Sequence, residues 1–158
     1  MILALSMELS DITKPAVIIS KDASFKEAIS MMVKEKTNSL LVIDESGVLV
    51  GEVSVSDLLD AIVPEYLDGD SIASEFAPEE LFAQAVETAS DTKVSEFMDT
   101  KFVRIHTPAT LMLVAQLAIA SKNARIPVVN KDEKPVGIIS RRGLKHLIAN
   151  YLHLEDSN

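Results

Sequence analysis

The sequence predicts an α+β fold: two pseudo-symmetric β-α-β-β-α repeats packed sheet to sheet, with a helical insertion between them. Three observations lead there. First, residues 14–63 slide onto residues 100–149 without a gap, and ten of the fifty positions are identical: Val17/Val103, Ile19/Ile105, Ala23/Ala109, Lys36/Lys122, Val42/Val128, Val50/Val136, Gly51/Gly137, Ser54/Ser140, Leu58/Leu144 and Ile62/Ile148. Second, the order of strand-like and helix-like stretches is the same in both copies. Third, a period this long that occurs only twice marks a duplicated supersecondary unit and not a solenoid. One such unit leaves a sheet face bare, so two must pack together to bury a core. The boundaries read as 9–63 for the first repeat, 64–96 for the insertion and 97–152 for the second repeat.

Each repeat justifies its elements in turn. "AVIIS" and "FVRIH" are short β-branched runs and read as strands. "SFKEAISMMVKEK" follows, with Ser24 and Glu27 at the spacing of a capping box. Its apolar residues Ala28, Ile29, Met32 and Val33 fall on one helical face. In the second copy Thr110 stands where Ser24 does, and Leu111, Val114, Ala115 and Ala118 repeat the stripe. "SLLVIDESGVLVGEVSV" reads as two strands around a turn at Asp44–Gly47, matched by "RIPVVNKDEKPVGIIS". A closing helix completes each copy, over Asp57–Ile62 and Gly143–Leu152. In the insertion, Pro78 with Glu79 and Glu80 makes a good first helical turn, and "ELFAQAVETA" continues it. "MELSDI" and "DTKVSEFM" read as short helical lead-ins to the two repeats.

Composition narrows the function. The chain has 158 residues, 47% hydrophobic and 25% charged, which describes a globular protein. It has no Cys, which removes disulfides, thiolate catalysis and cysteine-ligated zinc. The start lacks a basic n-region and a long apolar run, and no later run is long enough to span a bilayer, so the expected location is cytoplasmic with no membrane partner. The net charge of −9 is unevenly spread. Residues 1–63 carry five Lys/Arg against ten Asp/Glu, residues 64–99 one against ten, and residues 100–158 nine against four. A basic second repeat fits an anion site, whereas an acidic chain with 4% aromatics gives no footprint for nucleic acid.

Little else carries chemistry. His106, His146 and His153 are far apart or lack a third ligand, so no metal site is expected. The six Met suit adaptable core packing. There is no P-loop, dinucleotide fingerprint or catalytic triad order, and an enzyme is not expected. One phrase stands out. "GEVSVSD" at 51–57 returns as "GIISRRG" at 137–143, with Asp57 replaced by Gly143 and with Arg141 and Arg142 before it. Ser54-x-x-Asp57 fits two roles: a helix cap, and a carboxylate beside free helix amides that takes hydroxyls and phosphate.

"NSLLVIDESGVLVGEVSVSDLLDAI" and "ARIPVVNKDEKPVGIISRRGLKHLI", with the lead-in "KVSEFM", resemble a tandem pair of CBS (cystathionine β-synthase-type) domains, a Bateman module. The resemblance covers residues 9–152. It implies a non-catalytic sensor that needs no cofactor, binds an adenosine-containing ligand (AMP, ADP, ATP or S-adenosylmethionine) between the repeats, forms a homodimer and regulates a separate, unknown protein. It favours the ligand role for the Ser54–Asp57 pair. Carried over residue by residue, Asp57 and Ser54 hold the ribose with Val53 near the base. Lys101, Val103, Asn123 and Ala124 meet the base from the second repeat, and Arg125 reaches phosphate. The second cleft comprises Pro15, Val17, Thr37 and Asn38 with Ile139, Ser140, Arg141 and Arg142. There the sequence departs from the family, because Gly143 cannot accept a ribose hydroxyl. That cleft then binds phosphate alone, binds a nucleotide differently, or is empty. The alternative to a sensor is an interaction or scaffold module with degenerate clefts, working through a surface such as the acidic 64–99 segment.

Overall fold

The computed structural model describes residues 8–64, 67, 69 and 71–154. Among these residues the elements follow in order: α1 (Leu9–Ile12), β1 (Thr13–Lys14), β2 (Ile18–Ser20), α2 (Phe25–Glu35), β3 (Ser39–Ile43), β4 (Leu49–Ser54), α3 (Val55–Ile62), α4 (Ser71–Glu75), α5 (Glu79–Ala89), α6 (Val94–Phe97), β5 (Ile105–His106), α7 (Leu111–Ala120), β6 (Arg125–Val129), β7 (Pro135–Ser140) and α8 (Arg141–Tyr151). The repeated β-α-β-β-α order is present twice. The first strand of each repeat is shorter than its apolar run, three residues in β2 and two in β5.

The chain forms two compact units. Of the described residues, one holds those within 17–46 and 50–100, the other those within 8–16, 47–49 and 101–154. The first unit has a three-stranded sheet in the order β2-β3-β4, with β2 parallel to β3. Phe25, Ala28 and Met32 of α2 and Leu58 of α3 pack on Ile19, Leu40, Val42 and Val53 of that sheet. The second unit has a four-stranded sheet in the order β1-β7-β6-β5. Its core joins Val114 of α7 and Leu147 of α8 to Ile105, Ile126, Val128 and Ile139. The helical periodicity read from the sequence is what places these residues together.

Neither lead-in stays with the repeat it precedes. β1 pairs antiparallel with β7, Thr13 opposite Ile139 and Lys14 opposite Ile138, and Ile12 is buried in the second unit's core. In the first unit, Asp99 bridges Glu52 on β4, and Val94 and Phe97 of α6 join that core. The crossing explains the repeated glycines. A Cβ on Gly137 would lie 2.6 Å from the Lys14 carbonyl oxygen and 2.7 Å from Thr13 Cγ2. A Cβ on Gly51 would lie 2.5 Å from Met98 Sδ and 3.2 Å from the Asp99 carbonyl oxygen. Each glycine therefore marks the place where a strand of one repeat admits the backbone that leads into the other.

The caps are also duplicated. Ser24 accepts from the Glu27 amide and Thr110 from the Leu113 amide, and Ser54 and Ser140 cap α3 and α8 in the same way. The closing helices consequently begin at Val55 and Arg141, two residues before the starts read from the sequence. Among the described residues no helix is long and apolar enough to cross a membrane.

Candidate functional site

The candidate residues fall into two matched constellations, one in each unit. In the first, the Leu41 amide donates to the Val17 carbonyl and the Val55 amide to the Asn38 carbonyl. These bonds hold Val17, Thr37 and Asn38 beside the β4–α3 junction that carries Val53, Ser54 and Asp57. In the second, the Arg141 amide donates to the Ala124 carbonyl, and Arg125 sits opposite Ser140 in the β6–β7 ladder. Asn123, Ala124, Arg125, Ile139, Ser140, Arg141 and Arg142 are thereby gathered at the β7–α8 junction. Val103 packs on the core of that unit, while Lys101 and Pro15 are exposed on it.

The two junctions differ in one feature that matters chemically. At the first, Ser54 Oγ accepts from the Asp57 amide at 3.3 Å, and the Ser54 amide donates to Asp57 Oδ2 at 2.7 Å. Ser54 Oγ donates to the same Oδ2 at 3.0 Å. Both bonds reach one oxygen, and Oδ1 of the half-buried Asp57 takes none among the described residues. A carboxylate so oriented is fixed by its own cap and keeps acceptor capacity for a diol. Val53, one residue before Ser54, is wholly buried, so its side chain serves packing.

At the second junction the Gly143 amide donates to Ser140 Oγ at 3.0 Å, and no carboxylate returns the bond. There is room for a Cβ at position 143: it would meet Ile12 Cβ of α1 at 3.4 Å, the Ile12 carbonyl at 3.5 Å and Ser140 Oγ at 3.6 Å, ordinary van der Waals contacts. Arg141 is not a loose cation: one Nη donates to the Ser121 carbonyl at 3.1 Å, tying α8 to the end of α7. Its neighbour Arg142 is exposed and makes no ion pair among the described residues.

A cluster that the sequence did not reveal lies on the second unit. His106 Nε2 and Glu133 Oε1 are 2.6 Å apart, and Arg104 Nη1 lies 3.5 Å from Glu133 Oε2 and stacks on the Phe102 ring at 4.5 Å. The hydrogen bond to His106 is the main reason that the Glu133 carboxyl is held below its ordinary range. Separations of 27 and 29 residues give no periodic signal to find it by. Among the described residues no group of three His, Cys, Asp or Glu could hold a metal ion.

Comparison with known proteins now decides the family. The CBS domain model matches twice, at residues 9–64 and 94–150. The chain belongs to the CBS-domain family. It is 28% identical over 149 residues to Uncharacterized protein MJ1426 of Methanocaldococcus jannaschii, covering 87% of this chain and 89% of that one. CBSX2, a chloroplastic CBS domain-containing protein of Arabidopsis thaliana, is 28% identical over 133 residues, which is 78% of this chain and 55% of CBSX2. The crystal structure of the CBSX2 CBS pair superposes with a TM-score of 0.72, covering 95% of this chain and 99% of that one at 22% identity. A structure of CBSX2 in complex with AMP matches with a TM-score of 0.62, 24% identity and coverage of 92% and 96%.

Proposed function

We propose that this CBS pair is a non-catalytic regulatory module that binds an adenosine-containing ligand and signals its state to a separate protein. The observation that carries the reading is the Asp57 carboxylate. It is anchored through Oδ2 by its own helix cap, with Oδ1 available to accept a ribose hydroxyl. CBSX2, a relative at 28% identity, has been crystallised with AMP, which supports the same ligand class. Ser54 and Asp57 recognise the ribose. Val17, Thr37 and Asn38 flank this junction in the same unit. The matching junction of the other unit, with Asn123, Ala124 and Arg125 beside Ile139, Ser140, Arg141 and Arg142, offers cations suited to phosphate and lacks a ribose acceptor.

The module works as a homodimer. Ile119 and Ile148 are 86% and 62% exposed beside an apolar depression of about 450 Å³ lined by both, and Leu59 is 50% exposed on α3. Surfaces of this kind are covered in stable proteins, and light scattering at micromolar concentration should return twice the chain mass. A thermal-shift series with AMP, ADP, ATP and S-adenosylmethionine tests the ligand reading. A ligand at 100 times its Kd stabilises by about 2.7 kcal/mol, whereas no shift with any of the four leaves the scaffold alternative.

A further inference from the structure

The insertion carries an apolar groove of a different character from either junction. Ile62 at the end of α3, Pro64, Leu67, Pro78, and Leu81 and Phe82 of α5 enclose about 250 Å³. That is below the range of about 300–1,000 Å³ usual for small-molecule pockets, and it suits inserted side chains better than a whole metabolite. Phe82, which lines it, is 58% exposed, and Phe76 and Ile72, in the segment that also supplies Ser74 and Ala77 to the groove, are 80% and 71% exposed. The contributing segments are acidic, and Glu79 lines the groove itself. Glu75, Glu79 and Glu80 are exposed, and none pairs with a cation among the described residues. Residues 64–99 contain a single basic residue, Lys93, and it reaches back to Asp22.

From this combination we propose that the groove between α3, α4 and α5 docks a basic amphipathic helix of a partner protein. Large apolar anchors of that helix fill the space beside Phe82, and its Lys and Arg face Glu75, Glu79 and Glu80. Charge argues against a symmetric contact between two copies. A second copy of this chain meeting the groove through the same face would set one uncompensated acidic segment against another, which costs association. A basic partner gains steering and specificity from the same charges. The inference rests on the insertion alone and stands whether or not the Asp57 junction binds nucleotide.

The test uses the full chain and a fluorescent peptide of about 18 residues with Leu at helical spacing and Lys on the other face. The controls are a composition-matched scramble and a Glu-for-Lys version. Anisotropy should show the amphipathic peptide binding at least ten-fold tighter than either control. Glu79→Lys with Glu80→Lys should weaken binding ten-fold or more, and so should Phe82→Ser in protein whose circular dichroism is unchanged. The two charge reversals lie on an exposed helix turn, so they remain informative if Phe82→Ser fails to fold. Equal binding of the scramble, indifference to the charge reversal, or a fall in the chain's own oligomeric mass on Phe82→Ser would each overturn the proposal. The last would show that a second copy covers the groove.

Discussion

The junctions at Ser54–Asp57 and Ser140–Gly143 are the same piece of structure with different chemistry. Both end a strand, both cap a helix through a serine, and both lie beside a backbone carbonyl that receives the helix's first amide. In the first, the third residue of the helix returns a carboxylate to the cap, and in the second it returns nothing. Duplication thus preserved the parts that the fold needs and released the part that it does not. Capping α8 requires only Ser140, so the side chain at position 143 was free to be lost. Asp57 contributes to its cap, but its second oxygen answers to no structural demand.

The glycines sharpen the contrast, because they are the same in both repeats for a reason that belongs to the fold. Gly137→Ala sets a methyl against the Lys14 carbonyl, a backbone group that cannot rotate aside. We expect it to cost about 2–3 kcal/mol in denaturant unfolding, at the upper end of overpacking effects. Gly51→Ala meets first the flexible end of Met98 and should cost about 1 kcal/mol. Equal costs would mean that the two crossings are more alike than their contacts imply.

Asp57 offers the next largest effect. Asp57→Ala removes the cap return and the proposed ribose acceptor together, and it should weaken AMP binding about ten-fold or more. Asp57→Asn separates the two roles. Its carbonyl oxygen can still accept from the Ser54 amide, so stability should stay near that of the natural protein while affinity falls. Unchanged affinity in Asp57→Asn, measured by calorimetry, would confine Asp57 to capping.

Gly143→Asp reverses the comparison. With a Cβ tolerated at 3.4 Å or more, the substitution should change stability by less than about 1 kcal/mol and add a second, Asp57-like nucleoside site. A large loss of stability would show that the α8 start accepts no side chain.

The smallest effect concerns pH. Because the Glu133 carboxyl is held below its usual range, chiefly by His106, its contribution is full above the unfolded-state value. It is lost as the pH falls through the lower, folded-state value. Glu133→Gln should therefore narrow the difference in Tm between neutral pH and a pH below about 4. The change should be slight, since the pair is exposed.

These comparisons also mark what the sequence could tell. The repeat, the caps at Ser24 and Thr110 and the strand–turn–strand segments were legible, because each rests on local spacing or on register between copies. The cap at Ser140 was not, and both closing helices start two residues earlier than the sequence suggested. The exchange of lead-ins was not. β1 is two residues long and shows no periodicity, and its partner Ile139 lies 126 positions away. Gly51 and Gly137 held the only trace of that crossing, as identical residues with no visible local need. The tie of Arg141 to Ser121 spans a helix-to-helix contact that no charge count anticipates.

Isothermal calorimetry with AMP and with adenosine on the natural chain tests the central asymmetry most directly. If Asp57 holds the nucleoside and Gly143 cannot, AMP gives one tight site per chain, adenosine loses little affinity, and Asp57→Asn weakens that site. Two equivalent tight sites per chain in the natural protein would contradict the account.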